Sequence, residues 1–151
     1  MKTKKKILSA KSFTLAELML IAVFLTVIFA GLLTSFIACI LLNEISRNLS
    51  IAATHAQYIM EEIKDSASTI NGFNNLRTTG AGQWNLSATS DFQNRDLFYL
   101  TNEAITVTVS DASTGEAPTA TSELLDVLVT VNWTDRSRNK SMPLETLITE
   151  P

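Results

Sequence analysis

Apolar and polar residues divide the chain into stretches with different periodicities. Residues 18–42 are 25 consecutive positions without a charged side chain. From residue 43 to about residue 68, apolar positions recur in steps of three and four, which predicts one face of an amphipathic helix. Beyond residue 96, apolar and β-branched residues alternate with polar ones, and this pattern predicts β-strands.

The apolar run is long enough to span a membrane as a helix. At about 1.5 Å per residue it would rise roughly 37 Å, against a hydrocarbon core of about 30 Å. A cleaved secretory signal has a shorter apolar region, and a lipoprotein signal ending at Cys39 would have the unsuitable Phe36 and Ile37 before it. Lysines stand only on the amino-terminal side, which predicts that this end lies in the cytoplasm and residues 43–151 outside it; they are Lys2, Lys4, Lys5, Lys6 and Lys11.

The helical pattern continues beyond the apolar run. Its apolar stripe, which we expect to pack against the sheet of the same domain, comprises Ile45, Leu49, Ala52, Ala56, Ile59 and Ile63. Asn71-Gly72 predicts the helix end, so one helix would run from about Thr14 to Ile70. Residues 71–95 are rich in Asn, Gly, Thr and Ser, which predicts a loop pinned to the core by Phe73, Leu76, Trp84 and Phe92.

The last third of the chain has the pattern of an antiparallel sheet. Strands are predicted at 97–100, 105–109, 124–133 and about 142–148, with a polar connection at 111–122 and a turn at 135–139. The last two strands would form a hairpin within a meander. The fold class predicted is therefore α+β, a long amino-terminal helix whose second half packs on a small antiparallel sheet.

One carboxylate, Glu17, lies at the edge of the apolar run. A carboxylate near a bilayer is costly, up to about 2.5–3.5 kcal/mol at the helix centre and less at the edge. The simpler interpretation is that Glu17 lies among the headgroups, where it would need no partner. The alternative is that it has a cationic partner in an assembly.

The segment from Lys11 to Leu18 (KSFTLAEL), followed by the apolar helix, resembles the class III signal of type IV pilins and type II secretion pseudopilins. The resemblance implies that a prepilin peptidase cuts between Ser12 and Phe13 and methylates the new amine of Phe13. It also implies that Glu17 is the assembly glutamate. Ser12 stands where the family usually has glycine, and the apolar helix lacks the proline common in major pilins.

The resemblance gives a function to each part of the chain. Residues 1–12 would be a cleaved leader, 13–42 a transmembrane assembly helix, 43–70 an amphipathic helix, and 71–151 a loop and sheet domain. The free amine of Phe13, with a reference pKa near 7.7–8.0, would be largely cationic. Glu17 of one subunit would accept the amine of a neighbour and thereby set the register between subunits. Prepilin peptidase, other pilin subunits, inner-membrane assembly machinery and membrane lipid are the expected partners.

The charge of the chain disfavours nucleic-acid binding, and its cysteine content excludes an intrachain disulfide. The net charge is −3, and removal of residues 1–12 would leave seven basic and fifteen acidic residues, a net charge of −8. An acidic chain of this kind disfavours nucleic-acid binding through a basic groove. The single cysteine, Cys39, allows no intrachain disulfide and is expected to be an apolar contact residue.

No catalytic constellation, metal site or cofactor site is predicted. His55, the sole histidine, is expected to be a packed or partly exposed helix residue rather than an acid–base group. No zinc-ligand spacing and no glycine-rich phosphate loop occurs. Acidic side chains that could include a calcium site, but are expected to form a solvated surface, are Asp91, Asp96, Asp111, Glu116, Glu123 and Asp126.

The sequence therefore favours a minor pilin, an assembly subunit and not an enzyme. One alternative is a minor pseudopilin of a type II secretion pseudopilus, which the residues do not separate from a minor pilin. Another is a signal-anchored domain that never polymerises and binds a ligand or envelope partner. That alternative predicts that the chain is not cut and that its behaviour does not depend on Glu17.

Overall fold

The computed structural model describes residues 14–95, 97 and 99–151. The chain forms two compact units that meet between Asn43 and Glu44. Helix α1 runs from Leu15 to Ala67 and passes through Gly31 without a break. The predicted long amino-terminal helix is thus confirmed, although it ends three residues earlier than expected.

The sheet has three antiparallel strands in the order β1-β2-β3, namely Ala104–Asp111, Leu124–Asp135 and Arg138–Thr149. Val129 of β2 is opposite Val107 of β1 and Leu144 of β3, which places these three side chains on one face. A two-residue turn joins β2 to β3, with φ of 48° at Arg136 and 63° at Ser137. Two consecutive positive φ angles identify the primed turn that matches the twist of a hairpin. The predicted α+β meander is confirmed, with a tighter turn than 135–139.

One face of the sheet packs against the second half of α1. Alternate β2 residues from Leu125 to Val131 are fully buried, as strict period-two patterning requires. On α1, Ala52, Ala56, Ile59 and Ile63 are also fully buried. The stripe forms core contacts only from Ala52 onwards, because Ile45 and Leu49 remain 41% and 49% exposed.

The predicted loop at 71–95 is wrong, because this segment contains helices. Helix α2 runs from Ile70 to Thr79, a 3-10 turn covers Gly82–Trp84, and helix α3 runs from Thr89 to Asn94. The four aromatic and leucine side chains expected to pin the segment are indeed buried; they are Phe73, Leu76, Trp84 and Phe92.

Gly72 explains why the helix stop was misplaced. Thr69 caps α2, its hydroxyl accepting the N–H of Gly72 over 3.2 Å, so a second helix begins directly after α1. A Cβ at residue 72 would lie 1.8 Å from the carbonyl oxygen of Ser66. Glycine is therefore present because two backbone segments approach closely, and it lies inside a helix rather than ending one.

The predicted strand at 97–100 is also absent from its described residues, 97, 99 and 100. The backbone donors of Leu97 and Leu100 have local partners instead of a ladder. The N–H of Leu97 donates to the carbonyl of Phe92 over 2.9 Å, and that of Leu100 donates to the carboxylate of Glu103 over 2.7 Å. The segment is irregular, but its apolar side chains still pack into the core, and Leu100 is buried there.

Candidate assembly site

The first turn of α1 is closed by reciprocal hydrogen bonds between Thr14 and Glu17. The N–H and the hydroxyl of Thr14 donate to Oε2 of Glu17 over 3.0 and 3.1 Å, and the N–H of Glu17 donates back to the Thr14 hydroxyl oxygen over 3.3 Å. This is a capping box, in which each residue satisfies a backbone donor that the helix itself leaves free. The negative carboxylate also lies at the positive end of the helix dipole, where it is favourable.

Glu17 therefore has a partner within its own chain, which the sequence analysis did not identify. The signal was present, because Thr14-Leu15-Ala16-Glu17 has the capping-box spacing before an apolar run. Both hydrogen bonds from Thr14 to the carboxylate use Oε2. In the described part of the chain Oε1 accepts no hydrogen bond, so this oxygen is open to a donor from elsewhere. Ser12 and Phe13, the predicted cleavage pair, lie outside the described residues.

The surface that follows Glu17 is apolar on every side of the helix. All residues from Thr14 to Ile40 are exposed, and the large apolar side chains among them are 45–77% exposed. A soluble helix exposes one polar face, whereas a helix that is apolar all round requires an apolar environment. By length and composition α1 can cross a membrane.

The two threonine hydroxyls within this segment are satisfied without outside partners. The hydroxyl of Thr26 donates to the carbonyl of Val23 over 2.7 Å, and that of Thr34 to the carbonyl of Ala30 over 2.9 Å. In lipid each polar group must find an internal partner. Between Leu18 and Leu42 these threonines therefore add no unmet polar group to an apolar surface.

The sheet domain contains a buried polar pair that sequence reasoning missed. Nδ1 of His55 lies 2.6 Å from Oε1 of Glu103, and both residues are at most 3% exposed. The other carboxylate oxygen of Glu103 accepts the N–H of Leu100. His55 was expected to be either a packed or a partly exposed helix residue, and the structure shows it packed. No pattern in the sequence connects two residues 48 positions apart.

Asp111 has a structural environment rather than a metal-binding one. One carboxylate oxygen accepts the N–H and hydroxyl of Ser113, and the other accepts the hydroxyl of Ser122. The hydroxyl of Ser113, followed by that of Ser122 and the Ser113 N–H, lowers the pKa of Asp111 to about 2. These bonds fasten the 112–123 connection to the end of β1.

The other acidic candidates within the described residues form no metal-binding cluster. Backbone N–H groups of Ala88 and Ser87 lower the pKa of Asp91, which caps α3. The residues that the structure describes contain no group of three or more His, Cys, Asp or Glu side chains able to hold a metal ion. Asp96 lies outside the described residues.

Comparison with known proteins identifies no relative of this chain. No family model, no curated protein and no solved structure matches the chain. The amino-terminal segment and the α+β fold are therefore the features that bear on function.

Proposed function

We propose that this protein is a pilin-like structural subunit of a type IV pilus-type filament, of the minor class. The proposal rests on how one carboxylate, an apolar helix and an α+β domain follow one another along α1. A single carboxylate in the first helical turn leads directly into a helix that is apolar on all sides, and the same helix ends in an α+β domain.

In this proposal the chain is first a membrane protein. The basic segment before Phe13 remains in the cytoplasm, the apolar part of α1 crosses the inner membrane, and the Glu44–Pro151 unit lies outside. Lipid covers the exposed apolar side chains until the subunit is assembled. The same side chains then pack against helices of other subunits, so the apolar surface serves both states.

Processing would create the partner of Glu17. A prepilin peptidase removes residues 1–12 and leaves a cationic amine on Phe13. Oε2 of Glu17 stays bonded to Thr14, while Oε1 accepts the amine of a neighbouring subunit. A charge pair in a low-dielectric filament core depends on both members, because loss of one strands the other at a cost of several kcal/mol (about 3–5).

A structural role rather than catalysis is part of the same proposal. Three buried titratable groups of the domain, His55, Glu103 and Asp111, are engaged with each other or with backbone and hydroxyl donors. Such groups stabilise a fold. The proposal needs no cofactor.

The experiment compares Glu17→Ala with Glu61→Ala, an exposed acid on α1 outside the apolar segment. Each variant is produced with a prepilin peptidase and an assembly system, and the chain is quantified in sheared filaments and in membranes. Glu17→Ala should insert normally but be lost from the filament fraction, whereas Glu61→Ala should behave as the parent chain. Equal incorporation of Glu17→Ala would refute the amine-pairing role.

A further inference from the structure

The tip of the β2–β3 hairpin, residues 135–141, is attached to the start of the extramembrane part of α1. The guanidinium of Arg136 forms an ion pair with the carboxylate of Glu44. Glu44 comes two residues after Leu42, the last residue of the apolar run. Two residues of helix rise about 3 Å. If the run spans a membrane, Glu44 lies at the level of the lipid headgroups, and Arg136 holds the hairpin tip at that level.

The hairpin tip is cationic and exposed. Residues 138–141 are exposed at every position, so this end of the hairpin extends past the core. Arg138 and Lys140 form no ion pair within the described part of the chain. The tip and the adjoining helical turn carry four cationic side chains against two carboxylates; these are Arg47, Arg136, Arg138 and Lys140 against Glu44 and Asp135. The excess charge is positive in a chain whose net charge is negative.

The turn itself departs from the sequence that would best stabilise it. Primed two-residue turns favour Asn-Gly or Asp-Gly, because both positions need a positive φ. Here they are Arg136 and Ser137, with φ of 48° and 63°. A non-glycine residue in this conformation is disfavoured, because its Cβ lies too close to the following carbonyl oxygen. Departures from local preference are expected where a side chain has a function, and Arg136 is the side chain that reaches Glu44.

Exposed apolar side chains lie on the same part of α1. Ile45 and Leu49 follow Glu44 within about a turn and a half of helix. They are 41% and 49% exposed, although their stripe is buried from Ala52 onwards. Apolar side chains next to cationic ones are typical of helices that lie at a membrane interface. In water they would have no partner in this domain.

We propose that the hairpin tip binds anionic lipid headgroups when the chain is anchored in the membrane. Arg138 and Lys140 contact the headgroup phosphates, Arg136 fixes the tip through Glu44, and Ile45 and Leu49 lie at the interface beneath it. The inference rests on the membrane anchoring in the proposed function and is independent of filament assembly. Each cation near an anionic surface is worth about fivefold in affinity, an effect that salt weakens.

The test places a nitroxide at one of two positions on the same strand and the same face. Asn139→Cys lies at the tip and Thr149→Cys ten residues further along β3, about 33 Å away; both are exposed. Each is made in a Cys39→Ala background of the full chain and incorporated into nanodiscs of phosphatidylcholine, with or without phosphatidylglycerol. Discs contain a lipid that chelates Ni²⁺ at its headgroup, and collisions between nitroxide and Ni²⁺ are measured.

Collisions should be frequent at residue 139 and rare at residue 149, and phosphatidylglycerol should increase them only at residue 139. Arg138→Gln/Lys140→Gln should remove the phosphatidylglycerol effect, whereas Lys64→Gln, which removes an exposed cation at the other end of α1, should not. Equal collision rates at the two positions would overturn the proposal. So would spin–spin broadening at residue 139 without Ni²⁺ collisions, which would assign the tip to a neighbouring copy. Failure to enter the discs would overturn the membrane anchoring as well.

Discussion

Thr14 and Glu17 are bonded to each other in both directions across the first turn of α1. The carboxylate accepts from the Thr14 N–H and hydroxyl over 3.0 and 3.1 Å, and the same hydroxyl accepts the Glu17 N–H. The residue proposed to receive a neighbour's amine is thus already oriented by its own helix. Capping and charge pairing can be separated, because they depend on different properties of the side chain.

Glu17→Gln should separate the two roles. Glutamine also serves in a capping box, so the first turn should persist, but the negative charge is gone. We expect protection of the first-turn amides from hydrogen exchange in detergent to stay near that of the parent chain, while incorporation into filaments falls.

Thr14→Ala provides the matched variant. It removes the hydroxyl from the box at a cost of about 1 kcal/mol and leaves the charge of Glu17. Amide protection in the first turn should fall, and filament incorporation should be largely kept. The opposite pattern, with Thr14→Ala more harmful to incorporation than Glu17→Gln, would mean that capping rather than charge is the contribution of Glu17.

The buried His55–Glu103 pair should couple α1 to the segment before β1. His55→Leu leaves the Glu103 carboxylate buried with only the Leu100 N–H as a partner, so we expect the free energy of unfolding to fall by about 3–5 kcal/mol. The double variant His55→Leu/Glu103→Gln should be less destabilised than His55→Leu, because a neutral amide is cheaper to bury.

The unfolding measurement can use the two tryptophans, Trp84 and Trp133, which are both buried in the Glu44–Pro151 unit. Urea unfolding of the full chain in detergent, followed by their fluorescence, gives the free energies. Thr54→Leu, at the exposed position next to His55, is the control and should change little. If the loss of unfolding free energy in the double variant equals the sum of the losses in His55→Leu and in Glu103→Gln, the two residues are not coupled.

Asp111 should make stability depend on acid. Its pKa is lowered from 3.8 to about 2 by hydroxyl donors, so the ionised form is favoured in the folded state. The resulting stability is fully present above pH 3.8 and is lost as pH falls through about 2. The stability difference between the parent chain and Asp111→Asn should therefore be constant near neutral pH and shrink at acid pH. A difference that does not change with pH would contradict the assigned hydrogen bonds.

Gly72 should tolerate no side chain. A Cβ would meet the Ser66 carbonyl oxygen at 1.8 Å, and relief requires that α1 and α2 separate. We expect Gly72→Ala to lower the free energy of unfolding by about 1–3 kcal/mol, the usual cost of overpacking. Gly82→Ala, at a position with nothing within 4 Å of the new Cβ, is the matched control. Similar unfolding curves for the two variants would refute the close approach.

Local patterns predicted much of this fold because their physical causes are local. The alternation from Leu125 to Trp133 requires one buried sheet face, and the unbroken apolar run requires a helix in an apolar environment. What was missed depends on which segments the fold brings into contact. Gly72 resembles a helix stop until Ser66 is seen beside it, and Glu103 resembles a surface acid until His55 is placed against it.

The candidate site was predicted only in part. Glu17 was identified from its position and from the resemblance, but its bond to Thr14 was not, although the spacing was visible. The hairpin tip was predicted as a turn without a function, because its relation to Glu44 arises only when the sheet folds back along α1.

The intact mass of the chain recovered from membranes, with and without a prepilin peptidase, tests whether the chain is processed as a pilin-like subunit. We expect the peptidase to remove residues 1–12 and to add one methyl group to the new amine of Phe13. A full-length mass under both conditions would contradict this expectation and favour a signal-anchored domain that never assembles.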